Sequence, residues 1–397
     1  MSCYCSADAM PPTCTSPHFR PPDLPINNCR CYCTTRAAPQ LGRCLPKEDD
    51  LFKTTRLHTM PQLLFGTASF GMPMTKFEDV EDVKGLLQTL RDLGINRLDS
   101  GARYPPPKPG RAEELIGEAR DLSKDFIVDT KVYTDTKTDG SGDLTVEAIA
   151  SSTSQSLQRL KRPEGVNVLH IHRADPFTPL EEQLRGFHEQ ISQGHCKKVS
   201  ITSIGILFRE TDDLSWGVSN VPIPMLEKML QLCEQNGWEK PSCYQGPYNL
   251  VTRGMEKELL PLLRAHGIAF NAFQSLAAGF LTGKLVNGQH AGTRFGDDHP
   301  LGAIARKMFG GEDLLAAMKK FDRDVKALGL TPLEVAARWI THHSALGDDD
   351  GVLLGASKCD QIVDTVGIIR KGPLPDAVLP FVDELWDAVK ETRAAIL

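Results

Sequence analysis

The chain of 397 residues has no apolar run of the eighteen or so residues that a membrane-spanning helix needs, and its opening, "MSCYCSADAMPPTCTSPHF", lacks the apolar core of a secretory leader. Basic residues are not in excess: 45 Lys and Arg stand against 51 Asp and Glu, a formal net charge of −6 that offers no positive field to nucleic-acid phosphates. Paired C-x-x-C spacings and histidines at finger spacing are missing, which argues against structural zinc. A G-x-G-x-x-G following the first β-like run is missing too, and that argues against an open dinucleotide-binding sheet. The expectation is a soluble enzyme acting on a small molecule, with no membrane, nucleic-acid or metal partner.

Cysteine is present but uneven. Cys3, Cys5, Cys14, Cys29, Cys31, Cys33 and Cys44 crowd the start, whereas Cys196, Cys233, Cys243 and Cys359 are scattered over the rest. Without a leader the body is expected to be cytoplasmic, with reduced thiols. Residues 1–59 are rich in Pro, Cys, Ser and Thr and show neither helical nor strand periodicity. They are expected to be a disordered extension, or an artefact of the gene model with the real start at Met60. A transit peptide competes with that reading, because Arg20, Arg30, Arg36 and Arg43 outnumber the acids before Lys47. A zinc site is a weaker competitor, since the cysteines are spaced C-x-C.

From Leu63 onward, short β-like runs alternate with amphipathic helices. The runs are "LLFGT", "INRLDS", "FIVDTK", "NVLHIH", "WGVSN", "SCYQG", "IAFNAF" and "GVLLGAS". Helical stretches such as "FEDVEDVKGLLQTLRDLG", "LEEQLRGFHEQISQG", "PMLEKMLQLCEQNG" and "MEKELLPLLRAHG" lie between them, with apolar residues at i, i+3, i+4 and i+7 and a closing Gly. Eight strand-then-helix units predict an α/β protein, a parallel (β/α)8 TIM barrel spanning residues 60–397.

Chemistry in such a barrel collects at the C-terminal ends of the strands. Asp99 lies at the end of the second strand, Tyr104 just past it, Lys131 ends the third run, and His170 and His172 lie at the fourth. These residue types suit carbonyl reduction. A tyrosine hydroxyl stays protonated at neutral pH and gives its proton to a developing alkoxide; a nearby ammonium is expected to lower its pKa. Asp99 would hold Lys131 charged, a histidine would polarise the substrate oxygen, and hydride would come from a cofactor. Periodicity does not choose between His170 and His172, because residues two apart share a strand face.

The stretches "LLFGTASFG", "RLDSGARY", "DTKV", "HIHRADPFTPLEE", "WGVSN", "CYQGPYNLVTRGMEKELLPLLRAHGI", "AFQSLAAGFLTGK", "TRFGDD", "AARWITHHSAL" and "DGVLLGAS" together resemble the aldo-keto reductase family, closest to its aflatoxin aldehyde reductase branch, over Gln62 to about Val389. The resemblance implies a catalytic tetrad of Asp99, Tyr104, Lys131 and His172, the last chosen by the family's spacing to Asp175, with His170 packed deeper. It implies NADPH as cofactor: Ser219, Asn220 and Gln245 on the nicotinamide carboxamide, and Phe273 stacked on its ring. Gln274 departs from the small or amide residue usual there. The loop Leu276 to Lys284, with Gly279, would cover the pyrophosphate, and Arg294 would lie near a phosphate. Ser357, Lys358 and Gln361 would grip the 2′-phosphate at a helix start, while Thr365 replaces the usual adenine-contacting asparagine. Potassium-channel β subunits share the barrel, so a redox-sensing regulatory module is the alternative function. Dimers are common among the resembled reductases, and a homodimer is carried as an expectation.

One stretch departs from the family pattern. Val199 to Ser215, "VSITSIGILFRETDDLS", intervenes where the family passes from helix to fifth strand within a few residues. It is read as retained intron or a mispredicted exon boundary. Being apolar and β-prone, it is expected to compete with "WGVSN" for the fifth strand position.

Overall fold

A computed structural model of the chain describes residues 60–135, 137–196 and 216–396. The readings of residues 1–59 and of Val199 to Ser215 therefore lie outside the described residues. Eight strands, β1 (Gln62–Gly66), β2 (Arg97–Asp99), β3 (Ile127–Lys131), β4 (Leu169–His170), β5 (Trp216–Ser219), β6 (Cys243–Pro247), β7 (Ala269–Phe273) and β8 (Gly351–Leu354), close into one barrel in sequence order. Every neighbouring pair is parallel, and β8 returns to β1 through Gln62 opposite Gly351 and Phe65 opposite Leu354. Each expected strand is present, and "WGVSN" supplies β5.

The helices that follow the strands form an outer layer: α1 (Val80–Asp92), α2 (Arg111–Glu118), α3 (Arg120–Ser123), α4 (Val146–Leu160), α5 (Leu180–Ser192), α6 (Ile223–Asn236), α7 (Leu259–Ala265), α8 (Gly302–Phe309), α9 (Glu312–Ala327), α10 (Pro332–His342), α11 (Cys359–Ile369) and α12 (Leu379–Arg393). Their starts follow local chemistry. The Asp79 side chain caps α1 by accepting from the Asp82 amide, Thr145 caps α4 through Ala148, and Thr331 caps α10 through Glu334 with Pro332 as its first residue. Helix α1 turns Val83, Leu86, Leu87 and Leu90 onto the outside of the barrel, a stripe at 3- and 4-residue spacing.

One expected helix is divided. "MEKELLPLLRAHG" becomes a 3-10 turn, Gly254–Glu256, followed by α7. A Cβ on Gly254 would lie 1.8 Å from the Ala394 carbonyl oxygen, so the chain bends to pass the end of α12. The carboxylate of Glu256 accepts from Tyr248 Oη and from Arg253, which holds the bend in place.

Period-two alternation decides what fills the barrel. Leu98, Val128, Leu169, Val218, Tyr244 and Phe270 are fully buried between sheet and helices. The alternate positions bring a polar layer inside. Arg97 donates to Asp129 Oδ2 at 2.8 Å and to Gln62 at 3.1 Å, and Asn167 donates to the other Asp129 oxygen at 2.8 Å. His170, also fully buried, lies against β5: a Cβ on Gly217 would meet its Nδ1 at 2.5 Å, so only glycine leaves room for the ring.

Candidate active site

Two strand ends carry the centre of the mouth. Asp99 is the last residue of β2 and Lys131 the last of β3, and both are buried. Lys131 Nζ donates to Asp99 Oδ2 at 2.6 Å and to the Ser100 carbonyl at 2.7 Å. The second oxygen of Asp99 accepts from Gln245 Nε2 at 2.8 Å, so a residue of β6 closes the pair from across the barrel. Tyr104 follows on the turn after β2, where its amide bonds to Gly101 and its carbonyl accepts from Ala112 at the start of α2. The Lys131 ammonium lies 5.1 Å from the centroid of its ring. His172 stands edge-on to the same ring, with centroids 5.4 Å apart and planes at 86°. The four residues thus converge on one point of the mouth.

Electrostatics assigns them different states. Burial works against the Lys131 ammonium, but the facing Asp99 carboxylate prevails and lifts its pKa above the ordinary 10.5, so it is charged. Desolvation pushes the Tyr104 phenol above 10, against the pull of Lys131 in the other direction. The net direction is opposite to the expectation from sequence, because taking a phenolate out of water costs more than the ammonium returns. Tyr104 is therefore a protonated acid at neutral pH. The His172 ring is held well below 6.5, first by desolvation and then by Lys131, Arg103 and Arg173. It is a neutral imidazole with one N–H to donate, and its buried Nδ1 has no partner.

The residues matched to a nicotinamide cofactor line the far side of the mouth. Ser219 ends β5 and is buried, its oxygen accepting from Asn220 Nδ2 at 2.9 Å; Asn220 is left-handed at φ 54°. Gln245 lies between this pair and the tetrad through its bond to Asp99. Phe273 ends β7, half-buried, and Gln274 turns left-handed directly after it. Beyond Leu276 come three successive positive φ values, 50° at Ala277, 58° at Ala278 and 96° at Gly279. Lys284, Arg294, Lys358 and Gln361 are exposed. Ser357 and Gln361 are bonded to each other: the glutamine oxygen accepts from the Ser357 amide at 2.8 Å and hydroxyl at 3.1 Å. No hydrogen bond or ion pair joins these last residues to the tetrad among the described residues.

Asp99, Asp129 and His170 bring one ligand-type atom each within 4.8 Å of one another, a geometry that could suggest a metal. Lys131 and Arg97 already neutralise the two carboxylates, so we assign none. The site also includes residues that strand-end reasoning passed over. Ser100 supplies the second acceptor for Lys131, and Arg103 and Arg173 bring guanidinium charge to His172. Their position directly beside Tyr104 and His172 in the chain was the available signal.

The sequence model of the aldo/keto reductase family matches residues 62–207 and 214–387. The chain belongs to the aldo/keto reductase family. The break in the match falls inside the Val199–Ser215 stretch. An aldo-keto reductase of Pseudocercospora fijiensis (strain CIRAD86) is 30% identical over 314 residues, covering 78% of this chain and 99% of that protein. An oxidoreductase of Leptosphaeria maculans, sirO, is 30% identical over 347 residues, 84% of this chain and 96% of that one. Aflatoxin B1 aldehyde reductase member 2 of Mus musculus is 29% identical over 340 residues, 83% and 85% of the two chains. As a member of this family, the protein is an oxidoreductase acting on carbonyl compounds. No described helix is long and apolar enough to cross a membrane, and Cys196, Cys233, Cys243 and Cys359 are free thiols.

Proposed function

We propose that this aldo-keto reductase reduces aldehydes to alcohols with NADPH, and that Tyr104 is the general acid. The observation that carries the reading is the pairing of a protonated Tyr104 with a Lys131 fixed by Asp99 and Ser100, beside a neutral His172. Bound NADPH supplies the hydride. The His172 N–H and the Tyr104 hydroxyl together hold the substrate oxygen, and Tyr104 passes its proton to that oxygen as negative charge develops there. Lys131 then stabilises the phenolate, and Asp99 and Gln245 keep the ammonium from turning away.

The chain fits the cofactor on its own terms. Ser219, Asn220 and Gln245 offer amide and hydroxyl groups for a carboxamide, and Phe273 a ring for stacking. The loop after β7 is left-handed at Ala277, Ala278 and Gly279, and the space where a Gly279 Cβ would stand is open to a ligand's approach. Lys284 and Arg294 add charge for phosphates. Helix α11 starts at Cys359 with no side-chain cap on its first amides, and Ser357, Lys358 and Gln361 flank that start. The reading takes residues 60–397 as the catalytic unit, cytoplasmic, with a homodimer as its expected assembly and Val199–Ser215 as retained intron or a mispredicted exon boundary; light scattering and transcript reads across the stretch check these points.

The deciding assay follows NADPH absorbance with 4-nitrobenzaldehyde and succinic semialdehyde. Turnover that disappears in Tyr104→Phe supports the reading. NADPH binding without turnover favours the regulatory alternative instead.

A further inference from the structure

The first turn of α2 carries an acid that takes no part in the proton transfer described above. Glu113 is fully buried where α2 meets the barrel. Its two carboxylate oxygens serve different elements: Oε1 accepts from the Thr130 hydroxyl of β3 at 2.6 Å, and Oε2 from Arg159 Nε of α4 at 2.8 Å. Thr130 directly precedes Lys131, and strand alternation turns it outward toward α2 while Lys131 turns into the barrel. Ala112, directly before Glu113, donates its amide to the Tyr104 carbonyl at 3.1 Å. Arg159 is seated against both ends of α2. A Cβ on Gly110 would lie 3.0 Å from its Cδ, and one on Gly117 would lie 2.0 Å from its carbonyl oxygen.

A buried ion pair adds little stability over an apolar pair of the same size, because desolvation offsets the attraction, so its presence here points to geometry. The bonds close a ring: Tyr104 to Ala112, Glu113 to Thr130, Thr130 to Lys131 along β3, and the Lys131 ammonium back to the Tyr104 ring at 5.1 Å from its centroid. Gly101 lies within this ring, where an added Cβ would touch the Tyr104 ring at 3.3 Å and Lys131 Cβ at 3.5 Å. We infer that Glu113 is a positioning residue for the reaction: it fixes α2 to β3, and so sets how near the Tyr104 phenol stands to the Lys131 ammonium. The inference rests on the reading of Tyr104 as the general acid. Lys131 draws that phenol's pKa down against burial, so a Tyr104 that drifts from it becomes a weaker acid.

The least invasive break is Thr130→Val, which removes the hydroxyl and leaves Glu113 paired with Arg159. With the full chain, NADPH and 4-nitrobenzaldehyde, it should lower kcat about ten- to a hundredfold, the effect of displacing a reacting group by about 1 Å, with KM for NADPH unchanged. Because kcat falls as Tyr104 ionises, the alkaline limb of its profile should move to higher pH. The charged and titratable groups that face the phenol, Lys131, Asp99, Arg103 and His172, are untouched by the substitution. Thr130→Ser keeps the hydroxyl and should retain most of the rate. A purely structural bond would lower Tm in Thr130→Val yet leave kcat and the limb in place at temperatures below melting. That result overturns the inference, as does a Thr130→Ser chain as slow as Thr130→Val. If Thr130→Val does not fold, Glu113→Gln is read by the same measures. If the unaltered chain reduces no aldehyde, the reductase reading fails by itself, and the phenolate absorbance of Tyr104, taken by difference against Tyr104→Phe in each background, still decides. A phenol that ionises at higher pH in Thr130→Val supports the positioning role; one that ionises at the same pH overturns it.

Discussion

On the β2–β4 side of the mouth, Asp99 and Lys131 are buried and already bonded to each other, to Ser100 and to Gln245. On the β7–β8 side, Lys284 and Lys358 are exposed, and the loop after β7 is held left-handed at several positions. On the proposed reading, the contrast follows from what each side would have to do. Proton transfer gains from groups oriented beforehand in a dry setting, where little reorganises as charge develops. A large anionic cofactor has to enter and leave, and charges in water are cheaper to re-solvate than buried ones.

The difference can be broken most sharply at Tyr104. Replacing it with Phe should lower kcat by about 10²- to 10⁴-fold with NADPH binding retained, measured by steady-state turnover and by quenching of protein fluorescence on titration. Activity that survives would move the acid elsewhere. Next comes the stability of the dry side. Lys131→Met leaves the Asp99 carboxylate buried without its cation and should cost about 3–5 kcal/mol in urea unfolding. Adding Asp99→Asn to the same chain should recover much of that loss; a double variant as unstable as the single one would show that packing, not charge, is responsible.

A pH dependence should also belong to the dry side. Burial, with Lys131 and Arg97 nearby, holds the His170 ring well below the ordinary 6.5, so the folded chain stays neutral there while the unfolded chain takes up a proton. Stability is therefore full above about pH 7 and falls as pH drops through 6.5, by up to about 1.4 kcal/mol per pH unit for each such histidine. His172 adds in the same direction. His170→Leu should flatten the slope of Tm between pH 7 and 5; an unchanged slope would mean that His170 is not the group titrating. The smallest effect is expected on the open side, where Lys358→Met should change stability by less than about 0.5 kcal/mol. It should still raise KM for NADPH about tenfold and leave KM for NADH nearly unchanged, as loss of one charge on a 2′-phosphate requires.

Much of this was legible from residue order. Strand-sized apolar runs and helix-period stretches place all eight strands, because each unit buries one face and the two periods are distinct. Asp99 and Lys131 are legible because strand ends in a barrel share one rim. What the sequence withheld depends on contacts between distant residues. His170 and His172 have the same parity, and depth in the barrel separates them. Arg97 and Asp129 read as ordinary strand residues until the closed sheet faces them toward each other. The direction of the Tyr104 shift depends on how much water the fold removes, which no local pattern records.

The bond from Gln245 to Asp99 joins positions 146 residues apart. All four tetrad residues precede residue 196, while Ser219, Gln245, Phe273 and the phosphate-side loops follow residue 216. On the proposed reading, a polypeptide divided between those points would leave a fragment with the proton chemistry but neither the brace on its carboxylate nor the surface for the hydride donor. Its counterpart would have the cofactor surface and no acid. Recovery of turnover on mixing the two would then be a direct signal of their reassociation, which makes this barrel a natural split reporter.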